Sequence, residues 1–96
     1  MKRREAEQVG DVIRLFLREQ GLETPLNEFR LIQSWTTILG PSVGRFTRDL
    51  YIRGQTLYVQ LSSSVLRNEL MMQRTSLVGR LNASVGALVI TEIRFL

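Results

Sequence analysis

Arginine and tyrosine side chains carry most of the binding chemistry available to this sequence. Twelve of its thirteen basic residues are arginine, and it contains no histidine and no cysteine. A guanidinium group pairs with phosphate or carboxylate oxygens through a planar fork and also stacks on flat rings, so this set is suited to an anionic partner. Without histidine and cysteine, the sequence lacks the commonest general base and the commonest zinc ligands. Binding, rather than catalysis, is therefore the expected function.

The charges are distributed unevenly along the chain. Residues 1–28 carry five basic and six acidic side chains, whereas residues 29–96 carry eight arginines and three acidic side chains. The excess of positive charge after residue 28 favours a nucleic acid or an acidic protein surface as partner. The alternative is that a small domain carries this charge for solubility alone.

The three acidic residues of the basic segment do not form a catalytic group. Asp49, Glu69 and Glu92 stand singly on a predicted strand, a predicted helix and another predicted strand. Metal-dependent hydrolysis needs two or more carboxylates that converge on one site. We therefore expect no enzyme activity, no metal and no cofactor.

The length and composition predict a single domain over residues 1–96, in which residues 1–5 form a loose basic tail. Of the 96 residues, 44% are hydrophobic, which is enough for the core of a small domain. No apolar run approaches the roughly 18 residues that a membrane span needs, so no membrane contact is expected. The absence of cysteine is typical of a protein in a reducing cytoplasm.

Two amphipathic helices are predicted before the strands. The first spans about residues 5–20, with Gly21 as its stop. The second begins near Thr24, a hydroxyl cap followed by proline at a position where the missing N–H costs nothing. Trp35 lies in the middle of its apolar stripe and is expected in the core. The glycine-containing segment 40–44 has no phosphate-binding spacing and predicts a loop or one short turn.

A β-hairpin is predicted around Gly54-Gln55, because glycine in the first position suits a two-residue turn. Four residue pairs follow from this register: Ile52 with Leu57 and Leu50 with Val59 on one face, and Tyr51 with Tyr58 and Arg53 with Thr56 on the other. Both alternations agree, and a shift of one residue would destroy them. One face therefore belongs to the core, and the other presents the tyrosines.

A long helix is predicted from one of the serines 62–64 to Val85-Gly86, followed by a strand over residues 89–96. The main apolar stripe of the helix consists of Leu66, Leu70, Leu77, Leu81 and Val85. Val65 and Met72 lie nearly opposite that stripe. We expect these two residues to pack between the sheet and the other helices, and a partner-binding patch is the alternative.

These elements predict an α+β fold in the order α-α-β-β-α-β, with helices on one face of a three-stranded mixed sheet. The layout is K-homology-like, and the open face of the sheet would expose the tyrosine pair. The Gly-x-x-Gly clamp of RNA-binding K-homology domains is missing from this sequence.

Several short segments, taken in their order, resemble the DciA family from about residue 9 to residue 96. They are Trp35-Thr36-Thr37-Ile38-Leu39-Gly40, Gln55-Thr56-Leu57-Tyr58-Val59, Ser62-Ser63-Ser64, Leu81-Asn82 and Ile93-Arg94-Phe95. The resemblance implies a non-enzymatic bacterial protein that associates with the replicative helicase DnaB and helps to load it onto single-stranded DNA. Many family members carry an aromatic residue shortly after the serines, where this sequence has Leu66.

The candidate nucleic-acid site combines arginines, which neutralise phosphates, with tyrosines, on which any base can stack. Its residues are Arg45, Arg48, Arg53, Tyr51, Tyr58, Arg67, Arg74 and Arg80. Arg67 and Arg74 are seven positions apart and are expected to share one side of the long helix, whereas Arg80 points elsewhere. For the tyrosines, the alternative is an ordinary cross-strand pair that shields the sheet.

Two other functions stay open on the sequence alone. One is a module that binds only proteins, with its arginine-rich side on an acidic surface of the helicase or another replication factor. The other is a K-homology-like RNA-binding module. The sequence does not indicate the oligomeric state. It also leaves open whether the first helix packs on the core or on a partner.

Overall fold

The computed structural model describes residues 23–96 of the chain. These residues form α1 (Glu23–Leu39), α2 (Pro41–Phe46), β1 (Thr47–Arg53), β2 (Thr56–Leu61), α3 (Ser64–Met72), α4 (Arg74–Val85) and β3 (Glu92–Phe95). The predicted helix over residues 5–20 and the predicted tail over residues 1–5 lie outside the described residues. None of the helices between residues 23 and 96 has the length and apolar character that crossing a membrane requires.

The three strands form one mixed sheet in the order β1-β2-β3, which confirms the predicted α+β class. β1 and β2 are antiparallel, and Tyr51 lies opposite Tyr58 and Ile52 opposite Leu57, as predicted. Gly54 in the turn has φ 61°, a left-handed backbone that glycine adopts without steric cost. β3 runs parallel to β2.

Trp35 is fully buried in the core, as predicted, and also joins three elements. Its indole Nε1–H donates to Thr47 Oγ1 at 3.0 Å, and that hydroxyl donates to the Val43 carbonyl at 2.8 Å. The only polar group of this large side chain is therefore satisfied. The same two bonds connect α1, α2 and the start of β1.

The segment 40–44 differs from its prediction, because Pro41–Phe46 forms the short helix α2. Pro41 takes a position in the first turn, where proline removes no needed donor. The helix lies close to α1, and a β-carbon added at Gly44 would be only 2.8 Å from Thr36 Cγ2. So short a helix has too few apolar positions to reveal a helical period in the sequence.

The predicted long helix is in fact two helices, α3 and α4, which meet at Gln73. This residue has φ −105° and ψ 7°, and its N–H donates to the Leu70 carbonyl at 3.0 Å. α3 packs on β2 and β3, whereas α4 packs mainly on α1 and also on β3, so the two halves of the stripe have different main partners. The two ends are as predicted: Ser63 Oγ accepts from the Leu66 N–H at 3.2 Å, and Gly86 ends α4 with φ 77°.

β3 is shorter than the predicted strand over residues 89–96, because Asn82 of α4 binds the segment before it. Asn82 Oδ1 accepts from the N–H groups of Val89 and Ile90 at 3.0 and 3.1 Å. Its Nδ2 donates to the Ile90 carbonyl at 2.8 Å. These backbone groups are bonded to a helix side chain rather than to a neighbouring strand. Asn82 therefore fixes the point at which the chain enters β3.

The expectation that Val65 and Met72 pack between layers is wrong. Their side chains are 68% and 88% exposed. One side of α3 is enough for the core, because Leu70 is buried and Leu66 packs against the buried cluster. The alternative, a partner-binding patch, stays a prediction.

Candidate nucleic-acid interface

The sheet face opposite the helices carries a group of aromatic and basic side chains, which we call the open-face cluster: Tyr51, Arg53, Tyr58 and Arg94. Successive side chains of a strand point to opposite faces. Leu57 and Ile93 are buried in the core, so their neighbours Tyr58 and Arg94 point to the open face. β2 and β3 pair in parallel with Arg94 opposite Tyr58, and the antiparallel register sets Tyr58 opposite Tyr51. The cluster therefore crosses all three strands.

The two tyrosines stack on each other across the hairpin. Their ring centroids are 5.0 Å apart, and the ring planes differ by 10°. Each ring covers one face of the other, and both residues are half-buried. This is the geometry of a cross-strand pair that shields the sheet. It leaves only the outer ring faces for a base to stack on.

Arg53 and Arg94 lie beside the tyrosine pair. Arg53 Cζ is 5.8 Å from the centroid of the Tyr51 ring, which is within cation–π range. Arg94 follows Tyr58 on the neighbouring strand, and adjacent strands are about 4.8 Å apart. The cluster thus offers aromatic surface and guanidinium groups within a short row.

A carboxylate lies next to this row. Glu92 Oε1 is 3.8 Å from Arg94 Nε, and the two side chains are 50% and 61% exposed, respectively. Within residues 24–96 this is the only ion pair. An exposed pair at this distance contributes little to stability. Arg94 can therefore exchange Glu92 for another anion at small cost.

Two of the predicted arginines donate to main-chain carbonyl groups instead. Arg67 Nη1 donates to the Leu96 carbonyl at 3.2 Å, and Arg80 Nη2 donates to the Ile38 carbonyl at 3.2 Å. Ile38 lies in the last turn of α1, where carbonyl groups lack helical partners, so Arg80 satisfies one of them. Both arginines therefore connect elements of the fold.

Arg45 and Arg48 are exposed but lie away from the tyrosines. Arg45 is in the last turn of α2, and Arg48 is the extra residue of a β-bulge near the start of β1. Five residues of extended chain separate Arg48 from Arg53, which corresponds to about 17 Å. The structure thus does not bring these two predicted site residues into the open-face cluster.

Arg74 lines a shallow cleft of about 260 Å³ between β3 and the junction of α3 with α4. Met71 and Arg74 form the helix side of this cleft, and residues 92–95 with Leu96 form its strand side. Arg67 reaches the same end of β3 through its bond to Leu96. Arg67 and Arg74 therefore approach one region, although the helix breaks between them.

Arg94 is the cluster residue that the sequence analysis missed. The alternation of the last strand already set it on the face opposite Ile93, and the predicted mixed sheet required one parallel pairing, but the hairpin strand that this last strand joins was unknown. Only the parallel register with β2 sets Arg94 beside Tyr58. The tendency of a strand after a helical crossover to pair in parallel was the available signal.

The chemistry that this face offers is binding through charge and ring stacking. Among the side chains that the structure describes, those of residues 24–96, no three acidic groups come together to hold a metal ion.

The comparison with protein families agrees with the motif resemblance. Residues 8–95 match the family model described as "Dna[CI] antecedent, DciA". No curated protein matches the sequence. Since the match covers nearly the whole chain, the protein belongs to the DciA family, a family of helicase-loading adaptors of DNA replication rather than of enzymes.

Proposed function

We propose that this chain is an adaptor that binds a DnaB-type replicative helicase together with single-stranded or forked DNA and so assists helicase loading in the bacterial cytoplasm. Family membership supports the helicase part in general terms. The DNA part rests on the open-face cluster, in which stacked tyrosines lie beside Arg53 and Arg94.

The cluster would hold a single strand by its backbone and its bases. Arg53 and Arg94 would pair with phosphates, and a base would stack on the outer face of Tyr58. Neither contact reads a base edge, so we expect little sequence preference. If the strand makes about three to five phosphate contacts, the slope of log K against log salt is about −2 to −3.5.

The helicase would bind elsewhere, on the helix side of the molecule. Val65 and Met72 are exposed on α3, and α3 packs on the sheet face opposite the open-face cluster. Exposed methionine and aliphatic side chains are typical of surfaces that bind other proteins. Two surfaces on opposite sides would allow the adaptor to hold helicase and DNA together.

Separation-of-function variants test the proposal. We expect Arg53→Glu with Arg94→Glu to abolish binding of a fluorescent oligothymidine at low salt, while co-purification with the host replicative helicase persists. Val65→Asp with Met72→Asp should have the opposite effect. Two variants serve as controls. Arg30→Glu makes the same charge change as a single Arg→Glu substitution in the cluster, but on exposed α1 surface. Leu88→Asp places one charge on an exposed apolar residue outside α3. Both controls should retain both activities.

The same variants distinguish the two other functions. A wild-type chain that binds no oligonucleotide at low salt, together with helicase binding that is lost in the double variant Arg67→Glu with Arg74→Glu, would favour a module for proteins only. Competition between RNA and DNA oligonucleotides of matched sequence tests the third function. A clear preference for RNA would favour the RNA-binding module and contradict the proposed role.

A further inference from the structure

We propose that the free edge of β3 is a homodimer interface, in which β3 strands of two copies pair antiparallel about a two-fold axis at Ile93. This inference deepens the proposed function, because it concerns how many open-face clusters one assembly presents. The dimer is inferred from the hydrogen-bonding pattern and the charges of β3.

Among residues 23–96, the backbone of β3 bonds to a neighbouring strand on one side only. The N–H of Glu92 donates to the Gln55 carbonyl at 3.4 Å, and the N–H of Leu96 donates to the Val59 carbonyl at 2.8 Å. In a parallel ladder, alternate residues bond to the neighbouring strand, and those between them turn their N–H and C=O groups away. Ile93 therefore presents both groups at the sheet edge. Within residues 23–96, no strand lies beyond β3.

The side chains of β3 select one register for a second copy. With Ile93 opposite its counterpart, the two Ile93 residues exchange N–H···O bonds, and Glu92 of each strand lies opposite Arg94 of the other. The dimer then has two ion pairs on the open face and a pair of isoleucines on the core face. Opposite charges in directly opposed positions stabilise antiparallel strands.

Registers shifted by one or two residues are unfavourable because of the pleat or the charges. A shift of two residues sets Arg94 against Arg94, or Glu92 against Glu92, and opposed like charges destabilise a strand pair. A shift of one residue sets a core-facing side chain opposite an open-face one, which the pleat does not allow. The charge sequence of this short strand is thus complementary to itself in one alignment.

The surroundings of the edge also suit a second copy. The Glu92–Arg94 contact within one chain is 3.8 Å long and exposed, so an intermolecular pair can replace it at little cost. Beside the edge, the open cleft of about 260 Å³ includes Met71 and Leu96, which are partly exposed apolar residues. Strand pairing would cover this surface.

Pairing of this kind would join two open faces into one six-stranded sheet. The two Tyr58 residues would then lie on the same face, separated by three strand spacings, or about 14 Å across the sheet. A dimer would therefore offer a longer platform to a single strand than one chain does.

Charge-reversal variants of Glu92 and Arg94 test the inference. Their monomer–dimer equilibrium is measured by analytical ultracentrifugation without DNA or helicase. We expect the wild-type chain to show a reversible monomer–dimer equilibrium below about 1 mM, as suits a small interface. Glu92→Arg and Arg94→Glu should each be monomeric, because each creates two opposed like-charge pairs. An equimolar mixture of these two variants should dimerise again, because every opposed pair then joins a positive to a negative side chain.

A charge change away from the β3 edge is the control. Glu69→Arg makes the same charge change as Glu92→Arg on exposed α3 surface and should dimerise like the wild type. A wild-type chain that stays monomeric throughout, or a mixture that stays monomeric when the wild type dimerises, overturns the inference. So does edge amide protection that appears at Ile93 only when helicase is added, because the edge would then bind the helicase.

The two proposals can fail separately. Dimerisation is measured without DNA, so a dimer that binds no oligonucleotide would contradict only the DNA part of the proposed function. A monomer that binds oligonucleotide through the open-face cluster would contradict only the dimer.

Discussion

The open sheet face and the helix surface both carry arginines, but the structure uses them differently. On the helices, Arg67 and Arg80 donate to main-chain carbonyl groups and so hold elements together. On the sheet, Arg53 lies beside a tyrosine ring, and Arg94 lies beside an exposed carboxylate. An arginine that donates to a carbonyl group loses that bond when it turns to a phosphate, whereas Arg53 gives up only a ring contact and Arg94 only an exposed ion pair. Charge alone therefore overstates the anion-binding capacity of the helices.

The largest expected effect comes from releasing β3, which supplies Arg94 to the sheet face. Asn82→Ala removes three hydrogen bonds and leaves backbone groups of Val89 and Ile90 without their partner. We expect the free energy of unfolding to fall by about 2–4 kcal/mol. Denaturant unfolding followed by Trp35 fluorescence measures this loss. Asn68→Ala, on exposed α3 surface, is the control and should change stability by less than about 0.5 kcal/mol. Equal stability of the two variants would mean that β3 is held by other contacts.

A smaller effect is expected from the ring on which a base would stack. Tyr58→Ala should weaken binding of single-stranded DNA by about 1–3 kcal/mol, measured by fluorescence anisotropy. Tyr58→Phe keeps the ring and should bind as the wild type does. If both variants bind single-stranded DNA as tightly as the wild type does, the tyrosine pair only shields the sheet.

The two groups of arginines are separated by the salt dependence of DNA binding. Arg53→Ala with Arg94→Ala should reduce the magnitude of the log–log salt slope by about 1.4, because two phosphate contacts are lost. Arg67→Ala with Arg80→Ala removes the same charge and should leave the slope unchanged. An equal change in both double variants would remove the difference between the two surfaces.

The smallest effect is expected at the end of α1. Arg80→Ala leaves the Ile38 carbonyl without its guanidinium donor, and we expect a loss of about 0.5–1 kcal/mol in the free energy of unfolding. Arg74→Ala removes an exposed arginine at the start of α4 and should have no measurable effect on stability. Thermal or denaturant unfolding of both variants checks this difference, and identical stabilities would contradict the structural role of Arg80.

Local features of the fold could be predicted from sequence, and features that depend on distant packing could not. The hairpin register was correct because Gly54 fixes the turn and both alternations agree around it. The break at Gln73 was missed because no glycine or proline marks it, and because the two halves of the helix have different main packing partners that are distant in sequence. The predicted start of the last strand at residue 89 was wrong for a similar reason, since a side chain of α4 binds the backbone of Val89 and Ile90.

The candidate site divides in the same way. Tyr51, Tyr58 and Arg53 come from one hairpin, so their proximity followed from the local register. Arg94 joins them only through the pairing of β3, which depends on a crossover of thirty residues or so between β2 and β3. The carbonyl partners of Arg67 and Arg80 are likewise distant in sequence, and no local pattern indicates them.

The two edges of the sheet differ in shape, and this limits how far it can grow. At the β1 edge, the bulge at Arg48 interrupts the register and turns the strand, which discourages a further strand from aligning there. The β3 edge is regular. If two molecules join through their regular edges, both outer margins of the combined sheet are bulged ones. Such an assembly is closed by symmetry and ends at two subunits, so it is protected from extending into a fibril.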